Sequence, residues 1–62
     1  MNIEILHYQT HERYLWIEDA TAAQVIAYGN SEIIKINGKE LFNEATIMCH
    51  EDNLLEIYVT EA

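Results

Sequence analysis

Thr21-Ala22-Ala23-Gln24-Val25-Ile26-Ala27-Tyr28-Gly29-Asn30 is the stretch that decides the fold class of this chain. Its first four residues form a capping-box pattern, in which the Thr21 hydroxyl takes a backbone N–H and the Gln24 side chain reaches back to the cap residue. Ala22, Val25 and Ile26 share one helical face, and Gly29 stands where a left-handed C-cap is wanted. The rival reading is a strand through Gln24–Tyr28 turning at Gly29-Asn30. The alanines, the best helix formers, favour a short helix over about residues 21–28.

Strand signals lie on both sides of that helix. Upstream, Ile3-Glu4-Ile5-Leu6-His7-Tyr8 and Arg13-Tyr14-Leu15-Trp16-Ile17 are rich in β-branched and aromatic residues, and Gln9-Thr10-His11-Glu12 separates them at hairpin length. Downstream, Glu32–Ile36 reads as a third strand. Asn37-Gly38 follows it, a pair suited to positive φ at both positions of a type I′ hairpin turn. Lys39–Phe42 is the return arm, and Ala45–His50 and Leu54–Thr60 are two further strands joined over Glu51-Asp52-Asn53. The expected fold is α+β: a single small antiparallel sheet with one short helix, in the order β-β-α-β-β-β-β. No linker, repeat or low-complexity stretch divides residues 1–62, so one domain is expected.

Strand alternation then sorts the side chains. Ile3, Ile5, Leu15, Ile17, Ile34, Ile36, Leu55, Ile57 and Val59 are expected to face the helix as the core. The other side would display Glu4, Leu6, Tyr8, Tyr14, Trp16, Glu18, Leu54, Glu56 and Tyr58, a mixture of aromatics and carboxylates. Aromatics suit interfaces because they bury a large area with few rotamers to freeze. The plainer alternative is that a hairpin folds over this face and makes the aromatics a second core layer.

Charge narrows the function classes. Eleven Asp and Glu stand against Arg13, Lys35 and Lys39, for a net charge of −8. From Glu40 to Ala62 there is no Lys or Arg at all. Direct binding to nucleic acid, which relies on Lys and Arg at phosphates, is disfavoured; a basic nucleic-acid-binding protein is the expected partner. Half the residues are apolar and there is no proline, which separates this chain from acidic disordered segments. So short a domain buries only about 60% of its unfolded surface, and Cys49 is the only cysteine, so no internal disulfide helps. Association as a homodimer or with a target would supply the missing stability. No basic-then-apolar leader and no apolar run of membrane-spanning length is seen. With a lone cysteine, the expectation is a cytoplasmic protein with no membrane partner.

The chemistry-bearing residues do not form recognisable sites. His7 and His11 with Cys49-His50 supply only half of a zinc ligand pattern, so no metal and no cofactor are expected. Cys49 and His50, adjacent on a strand, point to opposite sides and cannot act as a thiolate–imidazole pair; Cys49 reads as a buried thiol. Glu18-Asp19 and Glu51-Asp52 sit at element ends, where solvation explains them without an acid–base role. No catalytic residue is expected, and the chain is read as not an enzyme. Partner-binding candidates are Glu4, Tyr8, Glu12, Tyr14, Trp16, Glu18, Asp19, Glu56 and Tyr58.

Three classes fit these observations: a DNA mimic that fills a basic groove, a homodimeric interaction module whose acidity serves solubility, and a β-grasp carrier domain. The carrier role requires a C-terminal Gly-Gly, whereas this chain closes Val59-Thr60-Glu61-Ala62. Over Ile3–Ile36 the hairpin–helix–strand plan resembles the short phage inhibitors of uracil-DNA glycosylase. Tyr28-Gly29-Asn30 followed by Glu32-Ile33-Ile34-Lys35 is similar to the helix end and next strand of the smallest such inhibitor. The resemblance implies a dimeric DNA mimic in the host cytoplasm, with an apolar pocket gripping the enzyme loop that normally enters DNA. By position, Glu4, Glu12, Glu18 and Asp19 would be its groove-lining acids. Phage inhibitors of host-defence nucleases would use the same physics.

Overall fold

The capping box forms as the sequence predicts. The Thr21 hydroxyl accepts the Gln24 N–H at 3.1 Å, and Gln24 Oε1 accepts the Thr21 N–H at 2.9 Å. In the computed structural model, which describes residues 1–62, helix α1 runs Ala22–Asn30. It outlasts the expected end at Tyr28, and Gly29 is not its left-handed cap. Ser31 stops the helix instead: its backbone is extended, its hydroxyl donates to the Ala27 carbonyl at 2.6 Å, and its N–H points to the Tyr28 carbonyl. The inward face also differs. Val25 and Tyr28 pack against the core while Ile26 is 64% exposed, so the expected Ala22–Val25–Ile26 face is not the one buried. A short helix with no fully buried residue is held by its cap and by a thin apolar contact.

The strands are β1 (Asn2–His7), β2 (Arg13–Ile17), β3 (Ile33–Ile36), β4 (Lys39–Cys49) and β5 (Leu54–Glu61). They form one five-stranded sheet in the order β2-β1-β5-β4-β3. Two expectations are corrected here. There are five strands rather than six, because Lys39–Phe42 and Ala45–His50 are two halves of β4. Asn43-Glu44 looks like a turn, yet the Asn43 N–H donates to the Glu32 carbonyl and its side-chain amide to the Ser31 carbonyl, so the ladder continues. The single residue Glu44 is absorbed as a bulge. The sheet is also mixed rather than antiparallel: β1 pairs parallel with β5, Ile3 beside Leu55 and Ile5 beside Ile57. This places the two most deeply buried strands side by side, with β5 at the centre.

The Asn37-Gly38 turn is as expected, with φ of 50° and 81° joining β3 to β4. Ile3, Ile5, Leu41, Ile57 and Val59 are completely buried, with Ala20, Ile34 and Leu55 nearly so. Leu15, Ile17 and Ile36 line the margin of this core. The helix-facing set read from alternation is therefore correct, with Leu41 and Ala20 added to it.

We call basal the end of the sheet where β1 and β5 begin and β2 and β4 finish; β3 begins level with Thr60, near the other end. From there α1 leads from edge strand β2 to the other edge strand, β3. These lie four strand spacings apart, about 19 Å, and β3 starts near the far end of the sheet, so the connection through α1 runs diagonally across it. Gly29 rests over Leu55 near the start of β5. The smallest molecular dimension is 16 Å, room for one sheet and one helix of roughly 10–12 Å diameter. The opposite face carries no second layer of strands or helix, and on it Leu6 alone is buried, among its neighbours in the sheet. No helix is long and apolar enough to cross a membrane.

Candidate functional site

Two bulges decide what the uncovered face displays. In the β1–β2 pair the register passes from Ile5↔Leu15 to Leu6↔Arg13, leaving Tyr14 extra. Tyr14 is thereby turned to the helix side, where it packs on the core and its hydroxyl donates to Glu61 Oε2 at 2.7 Å. Arg13 is turned to the open side. Its Nε donates to Glu4 Oε2 at 2.8 Å, and its guanidinium lies 4.8 Å from the centroid of Trp16. In β4 the Glu44 bulge reverses the alternation, so Ala45, Ile47 and Cys49 share the open side with their partners Tyr58, Glu56 and Leu54.

The result is a broad apolar surface. Tyr8, Trp16, Ile33, Phe42 and Ile47 are 39–52% exposed. Ladder partners place the last three on the side that carries Glu56, Tyr58 and Thr60. Near the centre, Tyr8, His11, Ala45, Ile47 and Tyr58 line an open groove of about 430 Å³. Tyr8 and Tyr58 meet edge to face at 87° with centroids 6.4 Å apart. The His11 ring lies 5.7 Å from Tyr58, brought there by a backbone φ of 61° in the β1–β2 turn. That turn is tied by His7 Nδ1, which accepts the Gln9 and Thr10 N–H groups. A smaller cavity of about 180 Å³ lies between the end of α1 and β3, lined by Ala27, Tyr28, Ser31, Ile33 and Ile34.

The ionisable groups on this face are engaged rather than activated. Glu56 accepts from the Cys49 thiol at 3.1 Å and from the Tyr58 hydroxyl at 3.2 Å. The hydrogen bond to Glu56, then burial, raises the Cys49 pKa; burial, then the Glu56 charge, raises that of Tyr58. Both groups stay protonated at neutral pH, the opposite of what a nucleophile requires. Cys49 is half-buried on the open face, not in the core. No group of three or more His, Cys, Asp or Glu side chains converges as a metal site.

Of the residues singled out from sequence, Glu4, Tyr8, Trp16, Glu56 and Tyr58 come together on the open face. Tyr14 does not, because of the bulge. Glu12 lies in the β1–β2 turn, while Glu18 and Asp19 lie in the β2–α1 turn at the basal end. Six residue steps of extended chain, about 20 Å, separate Glu12 from Glu18. The basal β4–β5 turn also holds Glu51 and Asp52, whereas Arg13, Lys35 and Lys39 all lie in the other half of the sheet, together with Glu12, Glu32 and Glu40. Charge is thus polarised along the strands.

Sequence reasoning did not include Arg13, His11, Ile33, Phe42 and Ile47 in the site. Phe42 was accessible to it: a two-residue Asn37-Gly38 turn sets Phe42 opposite Ile33, on the side away from Ile34. Ile47 was not, since only the bulge assigns its side. Comparison with protein-family models, with curated proteins and with solved structures finds no match for this chain.

Proposed function

We propose that this chain is a non-catalytic acidic binding module that docks through its uncovered sheet face on a basic, nucleic-acid-handling protein and thereby inhibits it as a DNA mimic. The observation that supports this reading is the grouping of Tyr8, Trp16, Ile33, Phe42 and Ile47 on one face, each about half exposed, in a protein of net charge −8. An apolar, aromatic centre supplies affinity by desolvation. The carboxylates of the two ends, Glu12 and Glu40 on one side and Glu18, Asp19, Glu51 and Asp52 on the other, attract a cationic groove from a distance. Glu4 and Glu56 contribute less to that field, being paired with Arg13 and hydrogen-bonded to Tyr58 and Cys49. A uracil-DNA glycosylase or a defence nuclease has a groove of the required sign.

The test is titration against uracil-DNA glycosylase and a panel of DNA-cleaving enzymes at 50 and 200 mM salt. Inhibition that weakens at the higher salt and is lost in a Trp16→Ala, Ile47→Ala double variant is expected. An absence of salt-sensitive inhibition across the panel sinks the mimic reading. A second reading is homodimerisation through the same face, favoured by the size of the apolar surface on so small a domain. Sedimentation over a concentration series separates the two, since a strict monomer at high concentration excludes the dimer.

A further inference from the structure

The Tyr8–Tyr58–His11 groove has a chemistry more specific than general apolar contact. Two phenol rings stand at 87° with centroids 6.4 Å apart, and a third ring lies 5.7 Å from one of them. Their faces and edges border an open space of about 430 Å³ floored by Ala45 and Ile47. Small Ala45, opposite Tyr58 in the ladder, keeps the floor low. A cation within about 6 Å of a ring centroid is attracted by the π quadrupole, and most strongly when desolvated between rings.

Two carboxylates lie beside the lining residues, Glu56 bonded to Tyr58 and Glu44 next to Ala45 in the chain. Glu56 is hydrogen-bonded to Tyr58 and uses one acceptor position on each oxygen, toward Cys49 and toward Tyr58. A carboxylate has about four such positions, so acceptors remain. The Glu44 carboxylate approaches the Thr60 hydroxyl on the same side of β5. The same face already shows the recognition mode in miniature, with the Arg13 guanidinium over Trp16 and hydrogen-bonded to Glu4. Arg13 is already held by Glu4, so an anion in the groove would meet the Glu56 carboxylate beside Tyr58, and no set of ligands exists for a metal ion.

We infer that this groove is a receptor for an arginine side chain of the docking partner, its guanidinium stacked in the Tyr8–Tyr58 corner and donating to the carboxylates of Glu56 and Glu44. The inference deepens the docking reading and rests on it for the source of the arginine. Arginine suits the site better than lysine because its planar, weakly hydrated head both stacks on a ring and donates in a fork.

The probe is arginine amide, titrated into the ¹⁵N-labelled protein to tens of millimolar at low salt, with citrulline amide as the uncharged isostere and lysine amide as the compact cation. Saturable shifts confined to Tyr8, His11, Ala45, Ile47 and Tyr58 are expected with arginine amide, several-fold weaker with lysine amide and absent with citrulline amide. Tyr8→Ala, at a half-exposed position, should abolish saturation while Tyr8→Phe retains it, and Glu44→Gln should weaken it. Shifts centred on the basal carboxylates Glu51 and Asp52 overturn the inference, as does equal response to citrulline amide. A groove closed by a second copy, silent to arginine amide in a sedimenting dimer, overturns it as well. Arginine amide saturating the groove when no basic protein binds the face leaves this inference standing and removes the docking reading. A basic partner that binds equally well to Tyr8→Ala, with no arginine amide response, does the reverse.

Discussion

Replacing the same residue type on the two sides of one sheet tests the assignment of core and open face directly. Ile57 is completely buried in the central strand β5, beside Ile5 on the parallel neighbour. Ile47, in the adjacent strand β4, is 46% exposed on the other side. Truncating a buried isoleucine to alanine costs about 2–5 kcal/mol, the lost transfer energy plus the cavity left behind. A chain of this length has roughly 3–9 kcal/mol in total, at about 0.05–0.15 kcal/mol per residue. Ile57→Ala therefore removes about a fifth or more of the stability, and at the upper end leaves the protein unfolded at 25 °C. Ile57→Val, at about 0.5–1.5 kcal/mol, keeps the comparison measurable in that case. Ile47→Ala should stay within about 0.5 kcal/mol, as surface substitutions usually do. Urea unfolding followed by circular dichroism at two protein concentrations gives the midpoints and slopes. An Ile47→Ala variant as destabilised as Ile57→Ala, at the lower concentration as well as the higher, would refute the description of this face as uncovered within one molecule.

The Tyr14–Glu61 bond gives a pH signature. The hydrogen bond to Glu61 and the carboxylate's charge hold the Tyr14 phenol up to about 12, while Tyr14 and Lys39 hold Glu61 below the usual carboxylate range. Because the folded state binds the phenol proton more tightly, this contribution is complete below about pH 10, and is lost as pH rises through 12. Ultraviolet titration should show one phenol ionising near 12 that moves toward 10 in Glu61→Gln; a phenol unaffected by that change refutes the bond. At the helix, Thr21→Ala removes the acceptor for the Gln24 N–H, with an expected loss of about 1 kcal/mol. Thr21→Ser should recover most of it, and thermal unfolding of the pair decides whether the cap holds α1 on the sheet.

Local chemistry was legible wherever neighbours in sequence settle a conformation. The capping box at Thr21-Ala22-Ala23-Gln24, the Asn37-Gly38 hairpin, and the alternation that buries Ile3, Ile5, Leu55, Ile57 and Val59 all depend on contacts a few residues apart or on period-two geometry. The end of α1 was less so, because Ser31 and Gly29 both offer a plausible stop, and the hydroxyl of Ser31 reaching Ala27 decides between them only once the chain continues into β3. Most of the candidate face was also readable, with Glu4, Tyr8, Trp16, Glu56 and Tyr58 on the expected side.

What the tertiary structure alone decided comes down to bulges and to one parallel pairing. A bulge is set by how two strands align over their whole length, so nothing in Arg13-Tyr14 or Asn43-Glu44 by itself reveals it. Yet these two single-residue insertions carry Tyr14 to the core side and bring Arg13, Ile47 and Cys49 to the open face. The β1–β5 pairing joins opposite ends of the chain because burying Ile3, Ile5, Leu55, Ile57 and Val59 together outweighs the entropy of closing so long a loop. From sequence alone come an acidic α+β domain with one capped helix and an aromatic strand face. The groove, its three rings and the separation of basal acids from the three cations arise only when the sheet is assembled, since each draws on strands far apart in the chain.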